Sequence, residues 1–205
     1  MHMTNNKTIL ILGNDKIAKS VLSLPELENP DIVVLIDKTS GFSRVIKLLV
    51  RRRLKFSLFI KMFICEFFRQ DNYFNIKRYN SLNNNSELIS NIEQHNPSRI
   101  ILFRAGLIIN KKVISLGVPL LNIHCAKIPE YGGLGSINRA IKDGAIEQCA
   151  TLHKVTTTID RGLILDVESY SLSLCKNYCY NEDLAYSAGI SLLRRSLATR
   201  IGCIN

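Results

Sequence analysis

The sequence predicts an α/β fold in which helices flank a mainly parallel β-sheet. Short runs rich in Val, Ile and Leu recur along the chain, as in "TILIL", "IVVLID", "RIILF" and "LLNIH". Such runs are typical of parallel strands, because helices cover both faces of a parallel sheet. Segments with helical spacing separate the runs, and this alternation is typical of βαβ units. With 205 residues and 46% hydrophobic residues, the chain is long enough for one domain with its own core.

The first βαβ unit begins with "KTILILGNDKIAKSVLSL". We read a buried strand, a turn at Gly13-Asn14-Asp15 and a helix that stops before Pro25, followed by the strand "DIVVLID". A dinucleotide-binding loop needs further glycines after Gly13, and this turn lacks them. The pattern therefore favours a simple strand-to-helix turn.

The later elements follow from turn residues and helix caps. In the segment that begins "NYFNIKRYNSLNNN" we expect a short strand, an Asn-rich loop, a helix near Ser86 to Gln94, a break at Asn96-Pro97 and the strand "RIILF". "GSINRAIKDG" predicts a short helix with Ser136 as N-cap and Gly144 as its stop. Beyond it we expect two strands around a turn at Asp160-Arg161-Gly162, and then a closing helix with Asn181 as N-cap.

Residues 42–69 differ from the rest of the chain. They hold eight basic residues, one acid and six of the eight phenylalanines, and so carry +7 of the net charge of +10. Lys55, Lys61 and Glu66 interrupt the apolar run before it reaches the roughly 18 residues that a membrane span requires. We therefore expect a basic amphipathic helix, inserted into a single domain covering residues 1–205. Such a helix either packs on a core or lies on an anionic membrane surface.

Charge and cysteine content limit the classes of partner and compartment. A net charge of +10 favours anionic partners, but no element typical of nucleic-acid recognition accompanies it, so we expect no nucleic-acid partner. No signal peptide is visible, which indicates a cytoplasmic protein. We expect free thiols and no metal site, because the cysteines form no dense framework and no zinc-ligand spacing. They are Cys65, Cys125, Cys149, Cys175, Cys179 and Cys203.

Three polar residues stand out as candidates for chemistry. Asn122 and His124 lie two positions apart at the end of an apolar strand, so their side chains share one face. Asp160 lies in a turn 36 residues after His124. Each alone has an ordinary explanation, as a hydrogen-bonded core residue or a turn residue. Together they suit catalysis, because a carboxylate raises the pKa of a facing imidazole while an amide donates to a developing oxyanion.

These residues resemble the hallmark of the folate-dependent formyltransferases. That family has a strand-end Asn-x-His, a Pro-x-Tyr-x-Gly turn, a short helix and a loop Asp. The corresponding stretches here are "NIH", "PEYGG", "LGSINRAIKDG" and "TLHKVTTTIDRG". The resemblance covers about 45 residues, from Leu121 to Leu165. Upstream, "ILFRAGLII" is similar to the strand and loop that hold the folate pterin.

The resemblance implies a Rossmann-like sheet and an enzyme that moves a formyl group from N10-formyltetrahydrofolate to a primary amine. It implies that Asn122 and protonated His124 stabilise the oxyanion and that Asp160 relays a proton. It also implies two sets of binding residues. The cofactor-binding residues would be Arg104, Ala105, Gly106, Leu107, Ile108, Thr158 and Ile159, and the substrate-binding residues Gly13, Asn14, Tyr131, Gly133 and Arg161.

Departures from the family pattern bear on the acceptor. Cys125-Ala126-Lys127, Gly132 and Arg161 differ from the usual residues, and the phosphate loop of the glycinamide ribonucleotide enzyme is missing after Gly13. The chain also leaves no room for the barrel with which methionyl-tRNA formyltransferase engages tRNA. The resemblance therefore favours an amino sugar as acceptor, linked to a nucleotide or a lipid and used for cell-surface polysaccharide.

Other readings stay open at this point. One is an enzyme acting on glycinamide ribonucleotide, and another is a degenerate formyltransferase fold that only binds. The acceptor would be a small molecule, most simply an anionic sugar nucleotide. Two further possibilities stay open. Residues 42–69 could contact the inner face of the cytoplasmic membrane, and the protein could form a homodimer.

Overall fold

The computed structural model describes residues 6–39, 55–70 and 78–199. The strands are β1 (Thr8–Leu12), β2 (Ile32–Asp37), β3 (Asn80–Leu82), β4 (Arg99–Phe103), β5 (Leu120–His124), β6 (Glu147–Lys154) and β7 (Ile164–Ser171). The helices are α1 (Lys16–Ser20), α2 (Phe56–Phe68), α3 (Asn85–His95), α4 (Lys111–Ile114), α5 (Ser136–Lys142) and α6 (Tyr178–Ala198). Two 3₁₀ turns, Val21–Ser23 and Pro25–Glu28, connect α1 to β2.

The seven strands form one sheet in the order β3-β2-β1-β4-β5-β6-β7. Strands β1 to β5 pair in parallel, whereas β6 and β7 add an antiparallel hairpin beside β5. The predicted α/β fold with a mainly parallel sheet is confirmed. Because parallel strands end at the same edge, the residues that follow β1, β4 and β5 meet there.

Both faces of the central strands are covered, as the continuous apolar runs predict. All five residues of β1 and all five of β4 are buried. Alternate residues enter two separate clusters. Leu10 and Ile101 belong to the cluster that includes apolar residues of α6, whereas Ile9 and Ile100 belong to the cluster that includes those of α3.

Two predicted helix caps are wrong. Ser136 is the first helical residue of α5, and Gly135 occupies the cap position. The N-cap of helix α6 lies four residues earlier than expected, at Asn177. Asn181 is instead fully buried, where its side chain bonds to the backbone of Ser173. A cap residue and a buried turn-bonding residue share the same chemistry, so spacing alone does not separate them.

The predicted basic helix is only partly described. Helix α2 runs from Phe56 to Phe68, and residues 40–54 lie outside the described residues. Residues 71–77 lie outside the described residues as well, and β3, at Asn80–Leu82, is a short strand just before the Asn-rich loop. None of the helices that the structure describes is long and apolar enough to cross a membrane.

The expectation that all cysteines are free thiols is wrong. Cys65 in α2 and Cys179 in α6 form a disulfide across 114 residues of chain. The pairing arises because α2 packs against α6, a contact that the spacing of cysteines does not show. Cys125, Cys149 and Cys175 are free.

Candidate active site

The structure brings Asn122, His124 and Asp160 together at the carboxyl end of β5. Asp160 lies in the turn between β6 and β7, and its Oδ2 is 3.4 Å from His124 Nδ1. Its Oδ1 is 3.5 Å from Asn122 Nδ2. The side chains of His124 and Asp160 are 14% and 10% exposed, so a reacting group could reach them while most of their surroundings are dry.

His153 is a fourth member of the site that the sequence analysis did not single out. It lies opposite Asn122 in the β5–β6 ladder and is 2% exposed. Its Nδ1 is 3.0 Å from the Lys154 carbonyl oxygen, an acceptor, so Nδ1 carries the proton. Nε2 lies 3.1 Å from Asn122 Nδ2 and 3.4 Å from Asp160 Oδ1, so it accepts from the amide in the neutral ring and donates to the carboxylate when the ring is protonated.

Two substrate-binding candidates join the site through their backbone. The amide of Gly133 donates to Asp160 Oδ2 at 2.6 Å. The carbonyl oxygen of Tyr131 lies 2.9 Å from His124 Nε2, so this nitrogen is a donor. The "PEYGG" turn therefore orients both the carboxylate and the imidazole.

The turn that carries Asp160 has an unusual backbone. Asp160 adopts a φ of 49°, in the left-handed region that Asp tolerates better than most residues. Gly162, two residues on, packs so closely on β6 that any Cβ there would overlap the carbonyl oxygen of Lys154. The close approach explains the glycine and fixes where the carboxylate lies.

Burial and hydrogen bonding shift the pKa values of the pair in the same direction. Burial raises the pKa of Asp160, but the hydrogen bond from His153, the charge of His124 and the Gly133 amide outweigh it and lower this pKa from 3.8 to about 2. Burial lowers the pKa of His124 below its ordinary value of 6.5, more than the charge of Asp160 raises it. The expected imidazolium is therefore not the resting form at neutral pH, because desolvation exceeds the attraction of the carboxylate.

The low pKa of Asp160 predicts a loss of stability in acid. The folded pKa lies below the unfolded one, so the carboxylate stabilises the fold above about pH 4 and ceases to do so as pH falls from 3.8 to about 2. We expect about 1 to 2 kcal/mol. Urea unfolding of the wild type and Asp160→Asn should differ by this amount near pH 6 and lose most of the difference once the pH falls to about 2. A difference independent of pH would contradict the ionised carboxylate.

The predicted cofactor loop follows β4, and hydrogen bonds to Asp37 at the end of β2 hold its backbone. The buried Asp37 carboxylate accepts from the amides of Gly106 and Leu107, at 2.5 Å and 2.7 Å from Oδ2. These two amides are therefore engaged with the protein. The side chain of Ile108 is 63% exposed, and Ala105 packs partly buried beside the loop's cluster.

Arg104 has a different orientation from the rest of the loop. Its φ is 55°, and its guanidinium pairs with Asp15 at 2.7 Å and stacks 3.8 Å above the ring of Tyr186. Asp15 also caps α1 by accepting from Ala18. The side chain of Arg104 thus links the turn after β1 to α6, and only its backbone remains to face a cofactor.

The remaining predicted residues occupy two other places. Gly13 is buried against Arg104, where a Cβ would lie 2.5 Å from the Arg104 carbonyl oxygen, and Asn14 beside it is exposed. Thr158 and Ile159 are exposed in the turn before Asp160. Arg161 is exposed and, among the described residues, makes no hydrogen bond or ion pair.

A small open cavity adjoins the catalytic candidates. It measures about 170 Å³, and its lining residues are Ile128, Pro129, Asp160, Arg161, Gly162 and Ile164. Apart from Asp160, its charged side chain is Arg161, and its walls are apolar. In residues 6–39, 55–70 and 78–199, no group of three His, Cys, Asp or Glu side chains is arranged to hold a metal ion.

The sequence model of the formyl transferase family matches residues 60–173, more than half of the chain. The chain belongs to the formyl transferase family. The match includes all three catalytic candidates and the loop after β4. It excludes the first βαβ unit, whose residues resemble the family only loosely.

Curated relatives align with about half of the chain. The methionyl-tRNA formyltransferase of Natranaerobius thermophilus is 32% identical over 95 residues, which are 45% of this chain and 29% of that protein. That of Fervidobacterium nodosum is 28% identical over 115 residues, or 55% and 36% of the two chains. The matched part thus spans about a third of these relatives' length.

Solved structures share the fold across nearly the whole chain. Phosphoribosylglycinamide formyltransferase from Anaplasma phagocytophilum has a TM-score of 0.65 at 13% identity, over 92% of this chain and 83% of that one. A likely sugar N-formyltransferase from Mycobacterium tuberculosis has a TM-score of 0.66 at 16% identity, over 96% and 69%. At these identities the likeness shows the fold alone.

Proposed function

We propose that this chain is one catalytic domain that transfers a formyl group from N10-formyltetrahydrofolate to a primary amine. The observation that carries the proposal is the meeting of Asn122, His124 and Asp160 at the carboxyl end of β5. A protein that only binds has no need for an amide, an imidazole and a carboxylate around one open point. Family membership adds the reaction class, since formyl transferases in general use formyltetrahydrofolate.

The reaction needs a neutral amine and a stabilised oxyanion. The amine nitrogen attacks the formyl carbon, the bond between that carbon and N10 breaks, and one amine proton ends on N10. Asp160 is ionised at neutral pH, so it can accept the proton from the attacking nitrogen and pass it on, directly or through water. Activity should therefore rise as the pH passes the pKa of the amine.

The donors for the oxyanion follow from the hydrogen bonds of the site. The proton on His124 Nε2 is donated to the Tyr131 carbonyl oxygen in the resting site. During the reaction this hydrogen bond must break, so that the same proton can be donated to the oxyanion of the intermediate. Asn122 donates one amide proton to His153, and its other proton, in a long 3.5 Å contact with Asp160 Oδ1, can turn to the oxyanion. His153 is a positioning residue in this scheme, because it fixes the rotation of the Asn122 amide.

The loop after β4 and the turn before Asp160 would hold the folate. Gly106 and Leu107 are fixed by Asp37, which gives the loop a defined backbone. Ile108 and Ile159 are 63% and 68% exposed, and such apolar side chains suit an aromatic pterin. With Asp15 already pairing with Arg104, we assign the side chain of Arg104 to the scaffold and not to the cofactor.

We propose an amino sugar as acceptor, in the form of an anionic sugar nucleotide or a lipid-linked sugar, with the protein in the cytoplasm. A net charge of +10 and the exposed cation of Arg161 beside the catalytic cavity support an anionic acceptor. The Asp15–Arg104 pair occupies the turn where a phosphate loop would be required for glycinamide ribonucleotide.

An acceptor panel tests this proposal. Purified protein is incubated with 10-formyltetrahydrofolate and nucleotide-linked amino sugars, and glycinamide ribonucleotide serves as a competing candidate. We expect an N-formyl amino sugar by mass spectrometry. Preference for glycinamide ribonucleotide would overturn the acceptor, and release of free formate alone would indicate a hydrolase, the activity named for a similar structure from Pseudomonas syringae, a formyltetrahydrofolate deformylase.

Arg161 offers a specific prediction for the acceptor. Its guanidinium is exposed beside the cavity, so we expect it to contact an anionic group of the acceptor. Arg161→Gly should raise KM for the acceptor about tenfold and leave kcat unchanged. Arg194→Gly, distant on α6, is the control. A shifted pH profile at constant KM would show instead that Arg161 tunes the carboxylate.

A further inference from the structure

Helix α2 presents a stripe of large apolar side chains that no described residue covers. This apolar stripe consists of Phe56, Ile60, Phe63, Ile64, Phe67 and Phe68, which are 40% to 77% exposed. At about 100° per residue, Phe56, Ile60, Phe63 and Phe67 lie on the side of the helix opposite the buried Leu58 and Cys65. Neighbouring rings contact one another along the helix, and Phe63 and Phe67 are stacked with their centroids 6.4 Å apart.

The other side of α2 is fastened to the domain. Arg69, just after the helix, pairs with Glu182 at 3.0 Å and with Asp183 at 2.7 Å. The Lys16 ammonium donates to the Arg69 carbonyl oxygen at 2.6 Å, and the disulfide joins Cys65 to α6. The helix is thus a fixed part of the fold with its apolar stripe turned outward.

The charges around the stripe are positive. Lys55 and Lys61 are exposed and project from the flanks of the helix, toward the domain and away from the stripe. The single acid of the helix, Glu66, is engaged by the Lys16 amide and by Arg69.

We propose that the apolar stripe of α2 binds the surface of a membrane containing anionic phospholipids. An interfacial helix buries its apolar face just below the headgroups and keeps its lysines at the level of the phosphates, which is the arrangement of the stripe and its flanks. Charge complementarity favours anionic over zwitterionic lipid.

A second copy of the chain fits this surface less well. A 13-residue helix is about 20 Å long and about 10 Å wide, so its face covers roughly 200 Å². Stable protein interfaces bury about 800 Å² on each partner. The stripe alone is too small for a dimer, whereas an interfacial helix needs no larger partner area.

The position of α2 gives this docking a consequence for the active site. Leu58 packs on Gly135, where a Cβ would lie 2.6 Å from Leu58 Cδ2, and Gly133 nearby holds Asp160. A membrane-bound α2 therefore keeps the catalytic turn near the bilayer, within reach of an amine carried on a lipid. This consequence rests on the proposed function, whereas the docking itself does not.

Vesicle sedimentation tests the docking with the full chain. The probes are vesicles of phosphatidylcholine with about a third phosphatidylglycerol, and vesicles of phosphatidylcholine alone, at about 0.05 M and about 0.5 M salt. We expect binding to the anionic vesicles that weakens in high salt. Phe56→Gln/Phe63→Gln/Phe67→Gln should lose at least about tenfold in affinity. The matched control, Leu116→Gln/Ile146→Gln/Leu174→Gln, changes three exposed side chains elsewhere and should bind like the wild type.

Several results would overturn the docking. They are no sedimentation with anionic vesicles at low salt, equal binding of the stripe variant, and a wild-type dimer that the stripe variant converts to a monomer without any vesicle binding. Formyl transfer to a water-soluble amine separates the two proposals. The stripe variant should keep this activity. A wild-type protein that binds vesicles but does not transfer the formyl group would support the docking and contradict the proposed reaction.

Discussion

His124→Asn is expected to slow formyl transfer by about 10²–10³ while the fold is retained, because it removes a donor to the oxyanion. Asn122→Ala should act similarly for the same reason. Asp160→Asn should cost at least about 10², since the amide cannot accept the amine proton. Steady-state rates with saturating 10-formyltetrahydrofolate measure the loss of turnover in each variant, and titration measures its affinity for folate.

Asp31→Asn is the control for Asp160→Asn, because Asp31 is exposed before β2 and away from the site. Its turnover should equal that of the wild type. Near-wild-type turnover in any one of the three site variants would remove that residue from the catalytic group. Loss of folate binding in all of them would assign them to the binding of the cofactor instead.

Gly162→Ala is expected to abolish activity and to destabilise the fold. A Cβ at this position overlaps the carbonyl oxygen of Lys154, so the backbone of the turn must move. A displacement of about 1 Å at Asp160 costs on the order of 10² in rate. The strain should also lower the free energy of unfolding by about 2 to 3 kcal/mol.

Gly144→Ala is the matched control. Gly144 has a φ of 65° and open space around its Cβ position, so alanine adds only backbone strain of about 1 kcal/mol and no change in rate. Urea unfolding and initial rates for both variants give the comparison. A Gly162→Ala protein as stable and as active as Gly144→Ala would show that the turn is not held against β6.

The sheet was predictable because the sequences of its central strands are continuous apolar runs. "TILIL" and "RIILF" lie in the middle of the sheet and are buried on both faces, so their composition identifies them without any knowledge of the partners. Asn122 and His124 were predictable for the related reason that two polar residues interrupt such a run at its carboxyl end. Asp160 stood out as a turn carboxylate, and only the resemblance of its surroundings to a family joined it to Asn122 and His124.

The rest of the site depends on pairings that the sequence does not display. His153 faces Asp160 because β6 pairs with β5 in a register that places it opposite Asn122. The sequence did show a histidine inside the apolar strand "ATLHKV". Its place in the site becomes recognisable only when the β6–β7 hairpin is known to lie beside β5. Asp37 ends a buried strand and reaches amides 69 and 70 residues away. Cys65 and Cys179 meet through the packing of α2 on α6, at a still greater separation.

The central claim is that the group at the end of β5 moves a formyl group from folate to an amine. The most direct test follows labelled formyl from 10-formyltetrahydrofolate in a mixture with an amino-sugar nucleotide, for the wild type and for Asp160→Asn. We expect the wild type to form N-formyl amine and tetrahydrofolate in equal amounts, and the variant to form neither at a comparable rate. Folded wild-type protein that leaves the label on folate, or releases it only as formate, would contradict the account.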